Sequence, residues 1–364
     1  MHRKKVRHAG RDDKGCLRPY NWYIMHITLV DDSIPFDGYT AASRALGGAE
    51  KAFASLPGAL ARLGHTVHVV NRCRWSMFVE GVQWDTFSGK KPLRTDVLIA
   101  YRKPSLLEFV RQSGKRVLWF TGPGRLLERP ATRELLEAHK PFLLLTAEAQ
   151  ARDFKARGLS AGVVPPALRS DYLSGEPKPA SPPRAIVTTH PAHGLDWLID
   201  LWLDRIRPAA PQAELHLYSM MLSKAAEGGE VDPAMKDLTD KVLAARDFGL
   251  VLQRPQGDFL MAEAFREASV HLVPGHADDM GAYTLVESQA CGCPAVMRPL
   301  GAAPERVTDG VTAYVAPDDE AFANLAALLL NDHAVRDAMG AEAGARSAGR
   351  TWDAAAATVQ DWLK

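Results

Sequence analysis

Two carboxylates bracket the stretch "DMGAYTLVE", Asp279 to Glu287, which runs on into "SQACGCPAV". A loop carries Asp278, Asp279 and Gly281, and a helix is expected from Thr284, an N-cap residue type, with Glu287 in its first turn. A glutamate placed there complements the helix dipole and caps free N–H groups, a purely structural use. It can equally accept two hydroxyl hydrogen bonds from a diol such as a ribose. Asp279, in the preceding loop, can take sugar hydroxyls in the same way.

Two more stretches have the makings of a ligand site. In "ALGGAE", Gly47 and Gly48 precede a long helical pattern. Glycines there let backbone approach a ligand, and the helix start offers N–H groups and a positive dipole end to a phosphate. A plain tight turn before a helix needs the same residues. The stretch is not a G-x-G-x-x-G fingerprint and has no Walker lysine, so a dinucleotide site is not indicated. "TTHPAHGLDWL" repeats the strand–loop–helix arrangement, with Gly194 at the helix start and His190 and His193 in the loop. A donor imidazole at that place can hold a phosphate; two surface loop histidines are the alternative.

These loops need a scaffold, and the apolar runs supply one. "ITLV", "TVHVVN", "DVLIAY", "KRVLWF", "FLLLTA" and "AGVVP" alternate with helical patterns, and "AIVTT", "ELHLYS", "GLVLQ", "VHLVPG", "PAVMR" and "AYVAP" do so again. Continuous apolar runs mark parallel strands buried on both faces, and strand–helix alternation predicts doubly wound α/β domains. The Pro- and Ser-rich segment between the two sets reads as a linker. The expected division is an extension over 1–24, disordered for want of any hydrophobic period, a first domain over 25–165, a linker over 166–183, a second domain over 184–345 and a last helix over 346–364. Ligands of open α/β sheets bind at the carboxyl ends of the strands, so two such domains facing each other form a cleft there.

A chain of 364 residues with 46% hydrophobic residues and a formal charge of +1 fits a globular protein of about two domains. No apolar run reaches the ~18 residues of a membrane helix, and the basic N-terminus lacks a signal peptide's apolar region. Four cysteines (Cys16, Cys73, Cys291, Cys293) suit a reduced, cytoplasmic protein. Cys291 and Cys293 lack a second Cys/His pair, so no metal site is expected. The charge is unevenly spread: residues 1–169 hold 28 Lys+Arg against 15 Asp+Glu, leaving 16 against 28 of the totals of 44 and 43. Such halves attract each other across a cleft, or the basic half faces an anionic acceptor or an anionic membrane surface. Nucleic acid is not an expected partner.

In their order, "GGAE", "LGHTVHVV", "VVPPA", "HGLDWL", "AELHLYS", "AFREASVHLVPG", "ESQACGCPAV" and "PERVTDGVTAYVAPDD" resemble glycosyltransferase family 4 from about Met25 to Trp362. The most specific part, Asp279–Pro294, is similar to that family's E-x(7)-E segment and the turn after it. The resemblance implies the GT-B fold, two Rossmann-like domains around a deep cleft. It also implies metal-independent, retaining transfer of a sugar from a nucleotide-sugar to an acceptor hydroxyl, without a further cofactor. The donor would be a UDP-, GDP- or ADP-sugar. The acceptor would be a carbohydrate, a lipid-linked sugar or a small molecule, in surface polysaccharide, lipid or secondary-metabolite glycosylation, at the inner face of the membrane in the lipid case.

Carried residue by residue, the resemblance puts the ribose on Glu287 and the donor sugar on Asp279. It puts the donor diphosphate over Gly47 and Gly48, with Gly194, Thr284 and Leu285 completing the donor site. His193 stands where relatives have Arg or Lys before Gly-Leu, and is assigned to the diphosphate. The acceptor side falls on the first domain, at Arg102, Thr121 and Arg125, with Lys103 beside them. Three departures, Asp279 for Glu, His193 for a fixed cation, and Thr121 with Gly122 where relatives carry a His, leave a second reading: a catalytically idle GT-B protein that binds a nucleotide-sugar or a partner enzyme.

Overall fold

The computed structural model describes residues 5–11 and 17–364. Lys5–Arg11 and Leu17–Tyr23 pair as an antiparallel hairpin that joins neither main sheet, where the sequence reading expected no order. Its second strand, "LRPYNWY", is rich in aromatic, strand-favouring residue types. Residues 1–4 and 12–16, with Cys16, lie outside the described residues.

The first domain is an eight-stranded sheet built around His26–Val30. Thr66–Asn71, Val82–Thr86 and Met77–Val79 follow on one side. Arg94–Tyr101, Gln112–Phe120, Phe142–Leu145 and Ala161–Val163 follow on the other. All pairings are parallel except that of Met77–Val79 with Val82–Thr86. The sequence reading missed those two strands. They form an edge hairpin whose turn residues, Glu80 and Gly81, both have positive φ, and a three-residue strand is too short to show a period. The expected helix near Leu106 is a single 3-10 turn, Pro104–Glu108.

The second domain is an all-parallel six-stranded sheet in the order Leu250–Gln253, Glu214–Tyr218, Arg184–Val187, Val270–Val273, Ala295–Met297, Ala313–Val315. In each sheet the chain winds outward in one direction from a central strand and then returns to its other side. The switch points fall beside the carboxyl ends of His26–Val30 and Arg184–Val187, where open α/β sheets take their ligands.

Several features lock the domains together. The segment between them is not a loose tether. Its short helix, Ser170–Leu173, buries Tyr172, and the carbonyls of Asp171 and Ser174 are held by Arg266. The chain's last helix, Trp352–Leu363, returns to the first domain. There Trp352, Ala355, Ala356, Val359 and Leu363 join the core cluster of Phe53, Leu56 and Trp119. His65, expected to be a turn residue, is buried instead. It meets Gln360 of that last helix at 3.0 Å and accepts the Met25 N–H.

Candidate functional site

Gly47 caps the Gly48–Arg62 helix in the first domain, and Ala282 precedes the Tyr283–Ala290 helix in the second. The two helix starts face each other across the interdomain cleft. Between them lies a cavity of about 460 Å³ lined by Gly47, Gly48, Lys51, Thr284 and Glu287. The Thr188–Pro191 loop and Tyr218–Met221, both at carboxyl ends of second-domain strands, close it. A larger basic hollow of about 780 Å³ lies elsewhere, around Lys115, Arg133 and Lys140, and holds none of the expected residues.

Four expected donor residues, Gly47, Gly48, Thr284 and Glu287, therefore meet in one cavity although the chain separates them into two domains. Their local settings differ from expectation. The helix begins at Tyr283, not Thr284, and its cap residue is Ala282 in the left-handed region, with no side-chain cap. Glu287 consequently lies in the second turn, and it is buried. Asp279 turns back on its own loop. Its Oδ1 accepts the Gly281 and Ala282 N–H groups at 3.0 and 2.9 Å, and it does not line the cavity. The short side chain, two and three residues before those donors, favours these local bonds. Leu285 is buried in a small core with Met297 and Ala313, so only its backbone can serve a ligand.

Gly48 makes room for protein as well as for a ligand. A Cβ there would come to 2.5 and 2.8 Å from Tyr283 Cγ and Cδ2, and Gly281 lies against the Cδ2–Cε2 edge of the same ring. Gly194 has φ +82, and a Cβ on it would fall 2.8 Å from an Arg298 guanidinium nitrogen. Arg298 bonds the Pro274 carbonyl and lies 4.3 Å over the Trp197 ring. It is the cation that underlies this loop and was missed in the sequence, where it follows an ordinary strand.

His193 stacks on His276 with ring centroids 4.2 Å apart and stands 5.1 Å from His190. Burial lowers its pKa, and the two neighbouring imidazoles lower it further. The shift favours the neutral imidazole. Arg102 is paired with Glu50 at 2.5 Å, Lys103 with Asp32 at 2.7 Å, and Arg125 with Asp278 across the cleft at 2.7 Å. Thr121 lies half-buried just past the Gln112–Phe120 strand.

The sequence reading also missed Lys51. It lies on the first turn of the Gly48–Arg62 helix and crosses to the second domain, where its Nζ bonds Glu287 Oε1. It also meets Asp258 Oδ1 at 3.2 Å and the Tyr172 hydroxyl at 3.0 Å. The signal was a lysine at the positive end of a helix dipole, where cations are disfavoured. Among the described residues, no group of three or more His, Cys, Asp or Glu is arranged to hold a metal ion, and no helix is long and apolar enough to cross a membrane.

Comparison with known proteins places this geometry. A family model described as Glycosyl transferases group 1 matches residues 185–332. The D-inositol 3-phosphate glycosyltransferase of Streptomyces griseus is 26% identical over 247 residues, which span 59% of this chain and 51% of that protein. The enzyme of the same name from Kribbella flavida is 37% identical over 103 residues, 27% of this chain and 24% of the relative. The chain thus matches about half, or less, of the length of these relatives. Sucrose-phosphate synthase from Thermosynechococcus elongatus superposes with a TM-score of 0.69 at 16% identity, covering 93% of this chain and 98% of that one. Anabaena HepE, solved in complex with UDP and glucose, gives 0.67 at 14% identity, covering 93% and 99%. The fold is GT-B, two doubly wound domains around a cleft, as the sequence implied.

Proposed function

We propose, from a GT-B chain whose residues 185–332 match the group 1 glycosyltransferase model, that this protein transfers a sugar from a nucleotide-sugar to an acceptor hydroxyl. The observation that carries this reading is the cavity that gathers Gly47, Gly48, Thr284 and Glu287 between two opposed helix starts. The nucleotide base lies toward Tyr218–Met221, the ribose on Glu287, and the diphosphate between the Gly47/Gly48 N–H groups and the start of the Tyr283–Ala290 helix. Two helix N-termini aimed at one diphosphate supply electrostatic stabilisation without reorganisation.

The reaction is retaining and needs no resident cofactor. The bond from the anomeric carbon to the diphosphate oxygen breaks, the acceptor oxygen bonds to the same face, and its proton passes to the departing diphosphate. The transition state has oxocarbenium character, as in glycoside chemistry generally. The protein's work is to hold both partners and to stabilise the leaving anion. His193, neutral in the unliganded protein, becomes a cation as the diphosphate raises its pKa. The acceptor approaches along Arg102, Thr121 and Arg125. The relatives' name specifies a phosphorylated inositol, and a phosphate-bearing polyol suits this arginine-bearing edge. The protein works in the cytoplasm, and the basic first domain suits anionic lipid if the acceptor is lipid-linked.

One observation favours a second reading, in which the chain binds a nucleotide-sugar without transferring it: Asp279 spends an oxygen on its own loop. Calorimetric titration of the full chain with UDP, GDP and ADP, and with their sugar conjugates, decides the site. Binding of one nucleotide at micromolar affinity that Glu287→Ala abolishes is the expected result, and no binding by any of them refutes the reading. Release of the free nucleoside diphosphate on adding acceptors separates transfer from idle binding.

A further inference from the structure

Lys51 is a buried cation to which neither the ribose nor the diphosphate role assigns a task. Its setting is costly on two counts: it stands at the positive end of its own helix, and it is removed from water. What compensates is a closed network. Lys51, Glu287, Asp258 and Tyr172 are 9%, 8%, 2% and 1% exposed. The ammonium donates to Glu287 Oε1 and the Tyr172 hydroxyl and pairs with Asp258 Oδ1 at 3.2 Å, the hydroxyl donates to Asp258 Oδ1 at 2.8 Å, and the Arg169 guanidinium forms an ion pair with Asp258, Nε to Oδ2 2.8 Å. Two cations and two carboxylates balance. The ammonium is surrounded by three protein oxygens, and two carboxylates balance the local charge, so Lys51 acts through these partners rather than on a phosphate.

We propose that Lys51 is a positioning residue for the nucleotide: reaching over from the first domain, it holds Glu287 as an oriented carboxylate, one oxygen on the ammonium and the other left for the ribose diol. The proposal rests on the nucleotide reading of the cavity. It adds that the ribose subsite is complete only with the two domains together, because the group that aims the carboxylate belongs to the other domain. A plain interdomain clamp would have no need to end on the one carboxylate that lines the cavity beside it.

The groups facing Glu287 give the inference a signature in pH. Burial raises the Glu287 pKa, Lys51 opposes this, Asp258 adds to it, and Tyr172 opposes it. Cys291, one turn on at the end of the helix, is also buried, and Arg169 stands behind Asp258. Lys51 itself is pulled down by burial, but Glu287 and Asp258 outweigh that and keep it protonated. Without Lys51 the Glu287 carboxyl moves further up, and its protonated form gains weight as pH falls.

The test is titration of the full chain with UDP, GDP and ADP, then with the 2′,3′-dideoxy counterpart of whichever binds, at pH 6.5 and 8.5. A hydrogen bond from a ribose hydroxyl to a charged acceptor gives the wild type a preference for the ribonucleotide of roughly tenfold or more. In Lys51→Met that preference falls to within about threefold at pH 6.5 and partly returns at pH 8.5, while Lys51→Arg keeps most of it. If Lys51→Met does not fold, Lys51→Met/Asp258→Asn leaves Arg169 and Glu287 as balanced charges and carries the same comparison. A variant that keeps the wild-type preference at both pH values, or that loses ribo- and dideoxynucleotide equally, overturns the proposal and leaves the nucleotide site standing. Absence of any nucleotide binding by the wild type overturns the nucleotide reading and this inference with it.

Discussion

Replacing Gly48 by alanine asks whether the first domain's glycine pair serves the domain interface as well as a ligand. A Cβ at Gly48 would lie 2.5 Å from Tyr283 Cγ and 2.8 Å from Cδ2, and closer still to Tyr283 Cβ. Ordinary carbon–carbon contact is about 3.5–4.0 Å, so roughly 1 Å of separation is required. The ring alone cannot provide it, because Tyr283 Cβ, which no side-chain rotation moves, is one of the atoms struck. The two helix starts must move apart, and Lys51 on the next residues of the same helix moves with them. Overpacking of this kind costs about 1–3 kcal/mol. Gly48→Ala should lower the urea midpoint with an unchanged slope, and should weaken nucleotide binding about tenfold or more as Glu287 loses its partner. Tyr283→Ala should relieve little of the strain, because its Cβ remains; Tyr283→Gly should relieve more. A Gly48→Ala protein with wild-type midpoint and wild-type nucleotide affinity would refute the argument, since Gly48 would then be open to solvent or ligand alone.

Two further outcomes follow from polar groups, one buried and one at the domain interface. His271 is fully enclosed between Ser288 at 2.8 Å and Thr188 at 3.3 Å, and burial pushes its pKa down to about 3. The unfolded chain takes up this proton near pH 6.5 and the native state only near 3. Stability should therefore fall as pH drops through that window, by about 1.4 kcal/mol per unit, and be unaffected by His271 above it. Urea midpoints at pH 7 and pH 4.5 should diverge less for His271→Gln than for the wild type, and equal divergence would exclude His271 as the source. Glu305 reaches over from the second domain and accepts the Glu148 and Ala149 N–H groups at 2.9 and 2.7 Å, capping a first-domain helix. Glu305→Ala should cost about 1 kcal/mol, read as a lower urea midpoint, whereas Glu305→Gln, which keeps an acceptor oxygen, should cost less.

What could be read in the sequence and what could not divides by the kind of physics involved. The buried strands were legible because a parallel sheet covered on both faces demands unbroken apolar runs, and "DVLIAY" or "FLLLTA" satisfies nothing else as well. Gly47, Gly48, Thr284 and Glu287 were legible because a helix start at the carboxyl end of a strand has the same chemistry wherever it occurs. The edge hairpin at Met77–Thr86 was not, since its strands are too short to show a period and its pairing depends on Thr66–Asn71 already being in place. The local bonds of Asp279 to the Gly281 and Ala282 N–H groups were not legible, because the spacing of two carboxylates says nothing about which backbone donors each will find. Lys51 was the deepest miss. A lysine beside a glutamate in a helix's first turn looks like solvated surface, and its true partner is 236 positions away. Yet the same residue violates a local rule, a cation at the positive end of a dipole, without any local compensation. Such violations persist where a distant contact outweighs them. A first-turn lysine three residues after a ligand-type glycine pair was therefore a reason to look for a carboxylate on the opposite domain, and Glu287 was already one of the two singled out.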